Sequence, residues 1–175
     1  MPRPEYVGEF LSRDTSIMHF QGTTDATGLR IAIVVSRFND FVTDRLLEGA
    51  KNALLAAGAP ADAVDTVSVP GAYEVPQAAR AAAATGDYDA VVCLGCLIRG
   101  ETPHFEYISE AVALGIMSAS AETDVPMSFG VLTANSAEQA LERAVPGSAN
   151  KGWEAAMAAV EMATLGRALR AGSGA

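Results

Sequence analysis

The chain reads as an α/β protein, a three-layer α/β/α sandwich around a parallel sheet. Three observations predict this. Short apolar runs alternate along the chain with longer stretches of helical period. The runs are apolar without a polar alternation, as in strands buried on both faces. And 175 residues, half of them hydrophobic, suit one core, whereas two halves would each fall near the lower size limit of a domain.

The elements follow in order. Residues 1–16 mix Pro2, Pro4 and charges without a period and are expected to form a flexible extension, with 17–175 as the single domain. Residues 17–21 read as a short strand and 22–28 as turns. Ile31, Ala32, Ile33, Val34 and Val35 form the first buried strand. A helix is expected over 41–57, because Leu46, Leu47, Ala50 and Leu54 recur near one face and Gly58 stops it. The unit then repeats: a strand over 66–69, an Ala-rich helix over 74–84, a strand over 90–97, a helix over 105–121 and a fourth strand over 128–132. Asn135, with Glu138 three positions on, is expected to open a short helix through a capping box. Pro146-Gly147 breaks the chain before a long helix over 151–169.

Composition excludes several function classes. Twelve Lys and Arg against 21 Asp and Glu give a net charge of −9, which disfavours a general nucleic-acid binder but leaves room for one local anion pocket. No apolar run reaches the ~18–20 residues of a membrane span. The start lacks a basic segment followed by an apolar one, so no secretory signal is expected. Two cysteines make no disulfide framework, and a reducing cytoplasm is the expected compartment. Cys93 and Cys96 have a C-x-x-C spacing, but they fall within an expected strand, where residues three apart point to opposite faces. Core packing is the simpler reading, since neither a helix start nor further zinc ligands accompany them. No Walker or G-x-G-x-x-G sequence follows any strand.

In parallel sheets ligands bind beyond the carboxyl ends of the strands. Four segments stand there: Ser36-Arg37-Phe38-Asn39-Asp40, Pro70-Gly71-Ala72-Tyr73-Glu74, Ile98-Arg99-Gly100-Glu101-Thr102-Pro103-His104-Phe105, and Thr133-Ala134-Asn135. Each notable side chain has a plain reading. Phe38 could cover the core edge, Glu74 could favour a helix dipole, and His104 could cap a helix. Together at one sheet edge they point to a small-molecule pocket. There Phe38 can stack on a planar ligand, Glu74 can accept from a polyol or amine, and His104 can move protons near neutral pH.

These segments resemble the lumazine synthase family over about residues 19–170. The resemblance rests on Ser-Arg-Phe-Asn-Asp at 36–40, Val-Pro-Gly-Ala-Tyr-Glu at 69–74, Ile-Arg-Gly-Glu-Thr-Pro-His-Phe-Glu-Tyr at 98–107 and Phe-Gly-Val-Leu-Thr at 129–133. Glu138-Gln139-Ala140 through Arg143, and Asn150-Lys151-Gly152-Trp153-Glu154-Ala155-Ala156, complete it. It implies a four-stranded parallel sheet of flavodoxin-like topology. It also implies condensation of 5-amino-6-(D-ribitylamino)uracil with 3,4-dihydroxy-2-butanone 4-phosphate, with neither cofactor nor metal.

By this resemblance Phe38 stacks on the pyrimidine, and Ala72, Tyr73 and Glu74 hold the pyrimidine and the ribityl chain. Cys96, Leu97 and Ile98 continue that wall through their backbone. Glu101 and Thr102 match the loop for the butanone phosphate, and His104 matches the proton-transfer residue. Phe129 and Arg143 match residues given by a neighbouring subunit, at the pyrimidine and the phosphate, and Lys151 matches a lysine near the same pocket. The resemblance further implies a homopentamer, with a 60-subunit icosahedral shell favoured over the free pentamer. His19-Phe20-Gln21-Gly22 resembles a strand that members add to a neighbour's sheet, and riboflavin synthase is a candidate partner.

Tyr73 stands where Phe is commoner, Pro146 replaces a more open sequence, and Glu101 stands where a small residue is usual. A carboxylate facing the phosphate would repel it, so the backbone at 101 is expected to bind and the side chain to turn away. Rival readings are a non-catalytic flavin or lumazine binder, a shell-forming container and a flavodoxin-like electron carrier. The presence of both His104 and Arg143 favours the enzyme over the binder. A container would assemble without turnover. An electron carrier would need a phosphate-cradling loop after the first strand, which Phe38-Asn39-Asp40 does not supply.

Overall fold

In the computed structural model, residues 18–172 are described; the extension expected over 1–16 and the start of the expected strand at Ile17 lie outside them. Four parallel strands, β1 (Ile31–Ser36), β2 (Val64–Val69), β3 (Ala90–Ile98) and β4 (Met127–Ala134), lie in the order β2-β1-β3-β4. Five helices accompany them: α1 (Asp40–Ala56), α2 (Val75–Ala84), α3 (His104–Thr123), α4 (Ala137–Glu142) and α5 (Lys151–Gly172). This is the expected three-layer fold with flavodoxin-like strand order.

The pleat sorts each strand's side chains into two cores. Ile31, Ile33 and Val35 join Leu46 and Leu54 of α1 and Ala156 and Val160 of α5 on one face. Ala32 and Val34 join Val75 and Ala79 of α2 and Val112 and Ile116 of α3 on the other. Every residue of β1 is buried, as its unbroken apolar run predicts. Cys96 lies in the first core and Cys93 in the second, as strand spacing requires. None of the described helices is long and apolar enough to cross a membrane.

Three local readings change. β2 starts at Val64, two residues early, because Asp65 is held in the edge strand by Arg30 (2.7 Å) and the Tyr88 hydroxyl (3.0 Å). The cap of α4 is Ser136, whose hydroxyl accepts from Gln139 N–H at 3.3 Å, while the Gln139 side chain accepts from Asn135 N–H. The capping pair is therefore Ser136 and Gln139, one residue beyond Asn135 and Glu138. Residues 18–22 join no strand of this chain. They run beside the last turns of α5, where Thr23 N–H donates to the Thr164 hydroxyl at 2.8 Å.

The two ends of the sheet differ. At the amino ends of the strands, Asp89 accepts from Arg30 N–H and from the Arg167 guanidinium, both at 2.8 Å, and closes that end. At the carboxyl ends, the chain leaves β1 towards β2 on one side and reaches β3 on the other. That reversal opens a crevice where ligands of such sheets bind.

Candidate active site

A cleft of 630 Å³ opens at the carboxyl ends of β1, β2 and β3, on the face of the sheet covered by α2 and α3. Its first wall is the turn after β1. Arg37 N–H donates to Val69 O (2.8 Å) and Phe38 N–H to Pro70 O (3.0 Å), which ties the turn to the end of β2. Asn39 takes the left-handed conformation (φ 62°, ψ 45°), which Asn tolerates better than most residues. Its Nδ2 donates to Cys96 O in β3 at 2.9 Å. These three tethers leave Phe38 70% exposed at the cleft.

The second wall follows β2. A short 3₁₀ turn, Ala72–Glu74, leads into α2. Ala72 is buried, Tyr73 is exposed on the rim, and Glu74 accepts from Gly71 N–H through Oε2 at 2.9 Å. One carboxylate oxygen is thus used locally, and Oε1 is free to accept from a ligand. Leu97 and Ile98, half-buried at the end of β3, line the back. Cys96 turns its thiol into the opposite core, and burial pushes that thiol up to about 11 and the Cys93 thiol up to about 12. Neither is a nucleophile at neutral pH.

The third wall is the loop from β3 into α3. Gly100 and Thr102 line the cleft, and Glu101 does not. His104 is the first residue of α3 and is exposed to the cleft beside Phe105 and Ile108. Glu106, in the first turn of α3, pairs with Arg99. Hydrogen bonds from its own N–H and then from Arg99 hold its carboxyl below the usual range.

Phe38, Ala72, Tyr73, Glu74, Leu97, Ile98, Thr102 and His104 therefore share one cleft. Phe129, Arg143 and Lys151 do not reach it within the chain. They line a separate groove of 730 Å³ along edge strand β4, against α5. There Lys151 Nζ pairs with Glu154 at 2.6 Å, and Arg143 is exposed at the end of α4. Among the described residues, no three His, Cys, Asp or Glu side chains group as a metal site.

The expected roles omit two residues that shape the cleft, Asn39 and Arg99. The preference of Asn for left-handed backbone at a strand-to-helix turn is a signal for the first. For Arg99, the bond to Asn135 spans 36 residues, while Glu106, 7 residues on, offers an opposite charge as a local signal. In comparison with known proteins, the family described as 6,7-dimethyl-8-ribityllumazine synthase matches residues 28–167, which span all four strands and both groups of site residues.

Proposed function

Because the chain belongs to the 6,7-dimethyl-8-ribityllumazine synthase family, transferases of riboflavin biosynthesis, we propose how its cleft performs that condensation. The observation that carries the reading is the meeting of an exposed aromatic ring, a carboxylate and an exposed histidine in one cleft. The pyrimidine of 5-amino-6-(D-ribitylamino)uracil stacks on Phe38, backed by Leu97 and Ile98. Glu74 Oε1 accepts from ribityl hydroxyls. The phosphate of 3,4-dihydroxy-2-butanone 4-phosphate lies at the N–H groups of residues 101 and 102. The helix N-terminus beside them favours an anion.

The 5-amino group attacks the ketone and water leaves, forming an imine. Loss of phosphate by elimination gives an enol that becomes the second ketone. The ribityl-bearing amine then closes the ring, and a second water leaves. Each step moves a proton, and His104 faces the cleft where those protons are exchanged. Much of the acceleration comes from holding two reactive substrates in register.

The separate groove supports a shared site. Phe129 and Arg143 lie on the β4 side of the molecule, away from the cleft of their own chain, so they serve the cleft of a neighbouring subunit. A guanidinium fork suits a phosphate dianion better than an ammonium does. Lys151 stands beside them. A shared site calls for more than one subunit; the pentamer, and the shell of twelve pentamers, rest on the family resemblance.

Mixing the purified protein with both substrates should produce the lumazine chromophore. His104→Ala should lower kcat by roughly 10- to 1,000-fold, at or below the ~10²–10⁴-fold typical of acid–base catalysis, because the substrates react unaided. Lost substrate binding with unchanged chemistry would assign His104 to binding instead.

A further inference from the structure

His104 opens a helix that has no capping side chain, because Pro103 stands at the N-cap. Without a capping side chain, the turn is held within the helix by the Glu106 carboxyl accepting from its own N–H and by Tyr107 N–H donating to Pro103 O at 3.4 Å. Arg99 adds a further restraint. It leaves β3 with its N–H donating to Ala134 O at 2.9 Å. Its side chain then grips three places: Nε donates to Asn135 Oδ1 at 3.0 Å, Nη1 pairs with the Glu106 carboxylate, and the guanidinium lies 4.4 Å from the centre of the Phe105 ring. Phe105 lines the cleft beside His104.

We infer that Arg99 is a positioning residue, setting the direction of His104 and the shape of the loop at 100–103 through Phe105 and Glu106. Successive helical residues leave the axis about 100° apart, so a grip on both Phe105 and Glu106 fixes the rotation of the first turn as well as its place. The same grip, with the tie to Asn135, pins both ends of the loop that carries Gly100 and Thr102. Stability is a poor account of this arrangement. The Arg99 and Glu106 side chains are 46% and 49% exposed, and exposed ion pairs add little to stability. A lysine keeps the charge but has neither the planar stack nor the fork.

The inference rests on His104 as the proton-transfer group, and its test separates the two. Steady-state kinetics and thermal midpoints are compared for Arg99→Met, Arg99→Lys, His104→Ala and the double variant Arg99→Met/His104→Ala. Arg99→Met should lower kcat roughly 10-fold, less than the ~100-fold that a misplacement of about 1 Å can cost. It should raise KM for the phosphate substrate and leave KM for the uracil unchanged, because Phe38 has its own tethers. Arg99→Lys should fall between wild type and Arg99→Met.

Once His104 is Ala, adding Arg99→Met should change kcat by less than about 2-fold, since no imidazole remains to be held. Equal losses with and without His104, wild-type kcat in Arg99→Met, or full activity in Arg99→Lys would each overturn the inference. If Arg99→Met does not fold, Glu106→Gln, which keeps the shape and removes the pair, takes its place under the same criteria. Wild-type kcat in His104→Ala would overturn the reading of His104, and this inference with it.

Discussion

Phe38 is held by its backbone and by Asn39, and its ring contributes little to either core. Phe38→Ala should therefore leave the thermal midpoint near wild type and weaken binding of a lumazine analogue. A stacked, buried ring is worth about 1–3 kcal/mol, or roughly 5- to 150-fold in Kd. Isothermal titration with the analogue checks both the size and the direction. The cysteines call for the opposite outcome, inertness. Burial raises Cys93 to about 12 and Cys96 to about 11, so both remain protonated at pH 8. A colorimetric aromatic disulfide should find almost no reactive thiol in the folded protein and two per chain in denaturant. Fast reaction of the native protein would contradict their place in the two cores. Strand period alone separated these thiols, because residues three apart in a strand must face opposite ways.

At the scale of the elements, α5 packs on α1 at a point where only glycine fits. A Cβ at position 152 would lie 2.0 Å from the carbonyl oxygen of Leu46, a backbone atom that cannot move alone. The buried Asn150 sets this approach: Nδ2 donates to Arg45 O at 3.0 Å, and Oδ1 accepts from Gly152 N–H at 2.8 Å. Gly152→Ala should destabilise by about 1–3 kcal/mol or more, the range for overpacking, and should be read as a lower midpoint in chemical denaturation. The helix itself is plain from its period and from the Pro146-Gly147 break. Its close approach to α1 is not, because Leu46 is far away in sequence. The shift of the α4 cap to Ser136 has a local cause: Ser136 and Gln139 have the same three-residue spacing as Asn135 and Glu138, and the observed backbone selects the second pair.

For the whole molecule, two surfaces of one chain await a single explanation: a cleft with Phe38 and His104, and a separate groove with Phe129 and Arg143. A shared site makes a testable demand. Arg143→Ala chains and Phe38→Ala/His104→Ala chains, each nearly inactive alone, should regain activity after dissociation and joint reassembly. Some interfaces then pair an intact Arg143 with an intact Phe38 and His104. Verified mixed assemblies with no recovery would leave Arg143 as a charge at the end of α4, where a cation suits the helix dipole.

The α/β class, the four strands and the strand-end segments were determined by the sequence alone, because apolar period and turn residues act over a few neighbours. So was the family, through motifs whose order and spacing are written in the chain. The tertiary structure decided which of those residues share a cleft: eight of the expected side chains meet there, while Phe129, Arg143 and Lys151 line another surface. It also decided the part played by Asn39, whose partner Cys96 lies 57 residues away, and the tie of Arg99 to Asn135, 36 residues away. The physical reason is one of range: a hydrogen bond between two strand ends exists only after the sheet has brought them together, and no short window of sequence contains both of its atoms.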